Sequence, residues 1–168
     1  SSKAAFAELL NALSTLTDGT FIFTEANADA DGRIINEMIK EFCKTHPDAY
    51  SFQALGQLRY LSLLKQVNVM IGNSSSGIIE APYFKIPTVN IGHRQAGRIM
   101  PKSAIHCQPV AQEIKQAIQH AMSQQHHQAM ETMTLPYGQG RVSHKIIDSL
   151  KQTDLAALNP KQFYDIAW

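Results

Sequence analysis

Hydrophobic positions along the chain follow two alternating patterns. Stretches with apolar residues three and four positions apart, as on one face of a helix, alternate with short apolar runs that have the length of strands. The helical stretches carry Phe6, Leu9, Leu10, Leu13 and Leu16; Ile34, Ile35, Met38, Ile39 and Phe42; Leu58, Leu61 and Leu64; Ile114, Ala117, Ile118, Ala121 and Met122; and Ile146, Ile147 and Leu150. The strand-like runs are residues 20–24, 50–54, 67–71, 87–91 and, more weakly, 104–107. This alternation predicts an α/β fold with a doubly wound, Rossmann-like parallel sheet.

Length and composition limit the classes of function. A chain of 168 residues fits one domain, since domains typically have ~100 to 200 residues. The 15 Lys and Arg residues nearly balance the 14 Asp and Glu residues, so neither nucleic acid nor a membrane surface is an expected partner. Cys43 and Cys107 are far apart with no CxxC motif, which favours neither a zinc site nor a disulfide framework and indicates the cytoplasm. We therefore expect a small molecule or another protein as partner.

The segment after the third strand-like run carries the clearest chemistry. Ser74, Ser75 and Ser76 lie between Gly72 and Gly77, where a buried strand is predicted to turn into a helix. Ligands of open α/β sheets bind at the carboxyl ends of the strands. Glycines let the backbone approach a ligand, while hydroxyls and the N–H groups at a helix start bind anions. The segment is therefore predicted to bind a phosphate or a diphosphate.

Other interpretations of this segment stand beside phosphate binding. The three serines could simply cap the helix, and the residues alone do not decide between capping and binding. The glycine spacing imitates a P-loop, but Ile78 and Ile79 occupy the positions of the required Lys and Ser/Thr, which disfavours ATP and magnesium chemistry. The sequence has no GxGxxG motif, and we expect neither a metal nor a cofactor.

Side chains before and after the segment offer further contacts. Glu80, one turn into the predicted helix, could accept both hydroxyls of a ribose or could only complement the helix dipole. Arg94 and Arg98 follow the next strand in a loop with glycines, which suits either an anion-binding loop or a solvated basic loop. Tyr60 could present its ring to a base or belong to the core. For Asn27, at the end of the first strand, capping of the next helix is the default explanation.

Residues 72–82 and 86–98 give the chain a family resemblance. The motifs GNSSSGIIEAP and IPTVNIGHRQAGR resemble the hydrolysing UDP-N-acetylglucosamine 2-epimerases of the sialic-acid type. The similarity continues through YGQG at residues 137–140 and FYD at residues 163–165, so it covers nearly the whole chain. It implies the C-terminal half of a two-domain GT-B fold, with residues 1–152 as the UDP-binding domain and 153–168 as a tail. A helical pattern begins directly after Ser1 with no strand before it, so we expect that an upstream part is missing.

The resemblance implies a role for several of these residues. The implied UDP-binding residues are Asn27, Tyr60, Ser74, Ser75, Ser76, Gly77, Glu80, Arg94 and Arg98. Ser74 and Ser75 would contact the diphosphate and Glu80 the ribose. Tyr60 would stack on uracil, and Arg94 would stabilise the departing phosphate. His93 stands where the family has Asp or Thr, and Tyr60 stands where it often has Phe.

The reaction implied by the resemblance is elimination of UDP to a glycal, followed by addition of water to give N-acetylmannosamine. Elimination needs a base that removes the C2 proton, and in the family that base lies outside the part matched here. We therefore expect this chain to bind UDP or a UDP-sugar, to be inactive alone, and to require the N-terminal domain of the same enzyme; a homo-oligomer is compatible with the sequence. The alternatives are the donor-binding half of a GT-B glycosyltransferase and a stand-alone nucleotide-binding module.

Overall fold

Helices and parallel strands alternate from α1 to β4 in the computed structural model, which describes residues 1–26, 30–138 and 140–156. Strand β5 then follows β4 directly, and three helices complete the described chain. The helices are α1 (Ser2–Ser14), α2 (Ala30–Thr45), α3 (Gly56–Leu64), α4 (Ser76–Ile79), a 3-10 helix (Ala81–Phe84), α5 (Ala111–Ala121), α6 (Gln124–Glu131) and α7 (Val142–Gln152). The strands are β1 (Phe21–Thr24), β2 (Ala49–Phe52), β3 (Met70–Gly72), β4 (Thr88–Ile91) and β5 (Ala104–Cys107). The predicted α/β architecture is therefore confirmed.

The chain divides into two compact units, Ser1–Pro136 and Tyr137–Trp168. The first unit holds strands β1 to β5 and helices α1 to α6. The predicted domain, residues 1–152, includes this unit and part of the second, and its extent stays a prediction.

The strands of the first unit form two parallel sheets. Strand β1 pairs with β2, and β3, β4 and β5 pair in that order. Gly72 at the end of β3 is opposite Asn90 of β4, which is in turn opposite His106 of β5. Paired parallel strands run in the same direction, so each strand ends at the same edge of its sheet as its partner. The loops after β3 and β4 therefore emerge side by side.

The core of the first unit lies around strand β4, which is buried along its whole length. Helices α1 and α5 supply most of the remaining buried apolar side chains of the core, including Leu13 and Ile114. Near β1, the Phe42 ring of α2 meets Phe21 and Phe23 edge to face, with centroids 6.1 and 5.7 Å apart, a preferred aromatic geometry. This packing explains why the apolar stripes read from the sequence become buried faces.

A long-range cap joins the first helix to the fifth. Val110, the residue before α5, makes no side-chain capping bond. The Ala111 N–H instead donates to Glu8 Oε2 of α1 at 2.7 Å. A carboxylate at a helix N-terminus is favoured by the helix dipole. This contact therefore stabilises the packing of α1 against α5.

Two local elements differ from the prediction. The apolar stripe of the preceding helix ends at Met122 and predicts no helix over residues 124–131, but these residues form a separate helix, α6, capped by the Ser123 hydroxyl. That helix buries His126 and Met130, and burial is the main cause that lowers the pKa of His126. The single helix predicted after the serine segment is divided into α4 and the 3-10 helix, because Pro82 cannot continue an α-helical hydrogen-bond ladder.

Helix α7 is the regular element of the second unit in the part of the chain that the structure describes. It confirms the helix predicted from its apolar spacing. Its apolar side chains Val142, Ile146, Ile147 and Leu150 are all exposed. Among the described residues, no helix is long and apolar enough to cross a membrane.

Candidate nucleotide-binding site

The serine loop, residues 73–77, leaves β3 at the carboxyl end of its sheet. Gly72 has φ 144°, a conformation that side chains disfavour, so glycine is required where the strand turns into the loop. Ser74 is exposed, and Ser75 and Ser76 are partly buried. The predicted phosphate segment thus lies at the sheet edge where ligands of this fold class bind.

The hydrogen bonds inside the serine loop show which of its polar groups cap helix α4 and which have no partner within the described residues. The Ser76 N–H donates to Ser74 Oγ at 3.3 Å, and the Gly77 N–H donates to the Ser74 carbonyl at 3.3 Å. Ser75, the N-cap residue of α4, makes no side-chain capping bond. Within the described residues, the backbone N–H groups of Ser74 and Ser75 have no hydrogen-bond partner. Capping therefore accounts for Ser74 but leaves two N–H groups and the Ser75 hydroxyl for a ligand.

Gly77 brings α4 close to strand β4. It is buried, and a Cβ atom at this position would overlap Cγ2 of Thr88. The Thr88 hydroxyl donates to the Gly77 carbonyl at 2.9 Å. Close helix–strand packing is one of the reasons for glycine in phosphate-binding loops of α/β proteins, so Gly77 has a structural role in positioning the loop.

Tyr60 of α3 reaches the serine loop through its hydroxyl, which is hydrogen-bonded to Ser76 Oγ and lies 3.8 Å from Met70 Sδ. Burial is the main cause that raises the pKa of Tyr60; the Glu80 carboxylate raises it further, and the bond to Ser76 partly offsets both. The fold thus brings Tyr60 of α3 into contact with Ser76, which is 16 positions away in sequence and belongs to the serine loop.

Glu80 lies at the junction of α4 and the 3-10 helix, not inside the first turn of a longer helix as expected. It follows the last residue of α4 and makes no side-chain capping bond with either helix. A carboxylate after the end of α4 is at the unfavourable end of that helix dipole. Glu80 is also the N-cap residue of the 3-10 helix, which is the favourable end of that helix dipole. The dipoles therefore do not decide between capping and binding, and Glu80 stays a predicted ligand residue.

The arginine loop, residues 92–98, is tied to the serine loop through Asn73. Arg94 Nη1 donates to Asn73 Oδ1 at 3.3 Å, and Gln95 Nε2 donates to the Asn73 carbonyl at 2.7 Å. Gln95 is 4% exposed, whereas Arg94 and Arg98 are exposed. The buried Gln95 holds the backbone of one loop on the other, and the Arg94 guanidinium lies at the edge of the predicted phosphate segment.

A cavity of about 230 Å³ lies between the arginine loop and strands β4 and β5. It is lined by Asn90, Gly92, His93, Ala96, Met100 and His106. Asn90 Nδ2 is 3.3 Å from His106 Nδ1, and the rings of His93 and His106 have centroids 5.5 Å apart. Local spacing did not reveal this cavity, because His106 of β5 meets Asn90 and the arginine loop only through strand pairing.

The predicted site residues fall into three groups. The structure places Tyr60, Ser74, Ser75, Ser76, Gly77 and Glu80 in or beside the serine loop, and Arg94 at its edge. Arg98 is in the arginine loop, where its N–H donates to the Gln95 carbonyl at 3.2 Å. Asn27, Gln139 and residues 163–165 lie outside the described residues. Sequence reasoning missed Asn73 and Gln95, which together with Arg94 join the two loops.

An α/β unit with parallel strands and an anion-suited loop after a strand defines a class of nucleotide-binding candidates. Comparison with known proteins narrows that class. The family model described as UDP-N-acetylglucosamine 2-epimerase matches residues 1–151, so the chain belongs to that family.

Individual relatives agree with the family. The chain is 41% identical over 160 residues to a GDP/UDP-N,N'-diacetylbacillosamine 2-epimerase (hydrolyzing) of Campylobacter jejuni, covering 94% of this chain and 41% of the relative. It is 34% identical over 165 residues to the polysialic acid biosynthesis protein P7 of Escherichia coli, covering 95% of this chain and 41% of the relative. The chain thus spans about two fifths of the length of these relatives.

The fold comparison points to the same proteins. The structure of a UDP-GlcNAc 2-epimerase from Neisseria meningitidis bound to UDP-GlcNAc superposes with a TM-score of 0.67 and 14% identity, covering 90% of this chain and 41% of that chain. At this identity the likeness establishes the fold. The chain therefore has the Rossmann-like architecture of one part of a GT-B type epimerase.

Proposed function

We propose that this chain is the nucleotide-binding half of a hydrolysing UDP-N-acetylglucosamine 2-epimerase that acts in sialic-acid-type sugar synthesis in the cytoplasm. The serine loop would hold the diphosphate, Glu80 the ribose hydroxyls, and Tyr60 the uracil ring. Membership of the family and the position of the loop at the carboxyl ends of the strands support this assignment.

The observation that carries the proposal is the pair of hydrogen bonds from Arg94 and Gln95 to Asn73, which we call the tether. It keeps the Arg94 guanidinium next to the loop whose Ser74 and Ser75 N–H groups have no hydrogen-bond partner among the residues that the structure describes. Arginine and backbone N–H groups are the usual partners of phosphate oxygens. Donors from two loops then converge where a diphosphate would lie.

This arrangement suits stabilisation of the leaving group, the diphosphate of UDP, in an elimination. A base removes the proton from C2 of the hexose, the C1–O bond breaks, and its electron pair leaves with the diphosphate of UDP. Donors already in place where negative charge develops lower the barrier of such a step, and Arg94 and the serine-loop N–H groups would have this role. Addition of water to the resulting glycal then gives the free 2-epimeric sugar.

The partner required for turnover is the N-terminal domain of the same enzyme, which would supply the base and the opposite wall of the cleft. The relative at 41% identity is named for a diacetylbacillosamine nucleotide, so a UDP-diacetamido sugar is the second candidate substrate. A GT-B glycosyltransferase half is disfavoured by membership of the epimerase family.

The proposal is tested by titrating the chain with UDP and with AMP, followed by NMR and thermal unfolding. A ligand at ~100 times its Kd stabilises the folded state by roughly 2.7 kcal/mol, so UDP should raise the melting temperature clearly and AMP should not. Absence of any change in the spectrum or the melt at millimolar UDP would contradict the assignment.

A matched pair of variants tests the role of Glu80. Loss of a charge-assisted hydrogen bond to ribose should weaken UDP binding by about 1.5 to 3 kcal/mol in Glu80→Gln. Glu37→Gln, at an exposed position of α2, makes the same chemical change away from the site and should leave UDP affinity unchanged. Equal effects of the two variants would remove Glu80 from the site.

A further inference from the structure

A buried histidine of helix α6 is connected to the serine loop by a series of hydrogen bonds through the sheet. We propose that His126 is a positioning residue for the serine loop, so that protonation of its ring weakens binding of the sugar nucleotide. The inference rests on the proposed function, because it takes the serine loop as the position of the diphosphate.

The hydrogen bonds pass through the starts of two paired strands. The His126 ring bonds to the backbone carbonyl of Ser103, the residue before β5. The same carbonyl accepts the N–H of Thr88, the first residue of β4, at 2.8 Å. The Thr88 hydroxyl then donates to the carbonyl of Gly77 in the serine loop at 2.9 Å. All four residues are buried, so bulk water does not compete for these bonds.

The contact between Thr88 and Gly77 transmits movement to the loop. The two residues are packed so closely that a Cβ atom at Gly77 would overlap the Thr88 side chain, and closely packed groups must move together. The Gly77 N–H donates in turn to the carbonyl of Ser74 at 3.3 Å. A shift of the Ser103 carbonyl is therefore passed to the segment that is proposed to bind the diphosphate.

The His126 ring makes this connection sensitive to protons. Its Nε2 atom is buried with no partner among the described residues, so the bond to Ser103 comes from Nδ1 of the neutral ring. A second proton would lie on Nε2, where the described residues offer no acceptor. Burial is accordingly the main cause that lowers the pKa of His126. Protonation therefore favours a state in which the ring has left its buried position.

The neighbouring titratable groups add to this effect. The ring of His120, in the last turn of α5, has its centroid 5.1 Å from that of His126, and His127 is the next residue of α6. The charges of both lower the pKa of His126 further. Lys102, next to Ser103, is exposed, and Thr88 of β4 carries no charge. The groups that act on His126 are thus positive when protonated and oppose a proton on its ring.

Helix α6 can be released without unfolding of the whole unit. Of its eight residues, His126 and Met130 are buried, and elements with few buried side chains open at a small cost in free energy. Release would remove the ring from the Ser103 carbonyl and loosen the strand ends that hold Gly77. A ligand on the serine loop favours the closed state and a proton on His126 the open state, so each must weaken binding of the other.

The test measures binding of UDP-N-acetylglucosamine to the 168-residue chain by calorimetry at pH ~7.5 and pH ~5. Both ends of this diphosphate are esterified, so the ligand itself does not titrate in the range. Acidification should weaken binding by the wild type about fivefold more than binding by His126→Gln, because glutamine keeps an N–H donor for Ser103 but takes up no proton. At neutral pH the two chains should bind within ~2-fold of each other. The exposed His127→Gln should behave as the wild type.

A matched pair of substitutions at Thr88 tests the route to the loop. Thr88→Val removes the hydroxyl that bonds to Gly77 and keeps the side-chain shape, so the extra fivefold effect should disappear. Thr88→Ser keeps the hydroxyl and should retain the effect. Melting curves of both variants should still show the loss of stability on acidification that comes from His126, since that loss does not require the loop. The same pH effect on binding in both variants would overturn the route through Thr88.

NMR of the ligand-free chain separates this inference from the proposed function. The amide signals of residues 74–77 should shift with the same pH midpoint as the His126 ring in the wild type, and this shift should be absent in His126→Gln. Identical pH profiles of these signals in the two chains overturn the positioning role. Failure of the wild type to bind UDP or the sugar nucleotide at pH ~7.5 overturns the proposed function, and the ligand-free signals then still decide whether His126 acts on the loop.

Discussion

Replacement of Gln95 by leucine should weaken UDP binding while leaving the free energy of unfolding nearly unchanged. Gln95 is 4% exposed, its Nε2 donates to the Asn73 carbonyl at 2.7 Å, and its Oε1 is buried with no partner among the described residues. Leucine has a similar size and removes one hydrogen bond, which is worth about 0.5 to 1.5 kcal/mol, but it also removes an unsatisfied buried oxygen, which costs about 1 to 3 kcal/mol. Asn73 is exposed, so water can replace the lost donor at its carbonyl. The free energy of unfolding should therefore change by less than ~1 kcal/mol.

UDP affinity should respond differently because the tether positions the Arg94 guanidinium. A loss of about 1 kcal/mol, or roughly fivefold in Kd, is expected when that charge-assisted contact with the diphosphate is no longer held in place. Calorimetric titration with UDP and with uridine separates the two effects, because uridine lacks the phosphates and should bind wild type and Gln95→Leu equally.

A double-mutant cycle with Arg94→Ala gives the decisive comparison. If Gln95 acts through Arg94, the two substitutions together should weaken UDP little more than Arg94→Ala alone. Additive losses, or equal losses for UDP and uridine, would refute the positioning role. A large fall in melting temperature for Gln95→Leu would instead mean that the residue is needed for folding.

Two further predictions concern packing and pH. Gly77→Ala should lower the free energy of unfolding by about 1 to 3 kcal/mol through overpacking against Thr88; chemical denaturation should show recovery in Gly77→Ala combined with Thr88→Ser, and no recovery would contradict the contact. The buried His126 has its pKa lowered from the ordinary value of 6.5 mainly by burial, so below that pH the unfolded state binds more protons and stability should fall. Melting curves of His126→Leu should lose that pH dependence, whereas the exposed His127→Gln should retain it; identical pH profiles would exclude His126.

The alternation of helices and strands could be predicted because each element has its own local signal. Apolar stripes marked α1, α2 and α5, and short apolar runs marked β3 and β4. Helix α6 was missed because only His126 and Met130 face the core, too few apolar positions for a visible period. The interruption at Pro82 had a local cause that could have been used, since proline ends an α-helical ladder.

The site was only partly predictable for a different physical reason. The serine loop stands out because its glycines and hydroxyls are consecutive, and its flanking strand indicates the sheet edge. The contact of Gln95 with Asn73 joins residues 22 positions apart, and it exists only because β3 and β4 pair in one register. His93 and His106 meet in the same way across β4 and β5. Contacts that depend on strand register leave no trace in local spacing.

The central claim is that this chain binds the UDP part of the substrate while the catalytic base lies elsewhere in the enzyme. Incubation of the 168-residue chain with UDP-N-acetylglucosamine, followed by NMR of the protein, the sugar and UDP, tests both parts together. Binding should shift the signals of the serine and arginine loops with no release of UDP, because proton abstraction by a positioned base is worth ~100 to 10,000-fold in rate and this half is proposed to lack it. Joining the chain to a matching N-terminal domain should restore turnover. Steady turnover by the chain alone, in proportion to its concentration and abolished by Arg94→Ala, would contradict the claim.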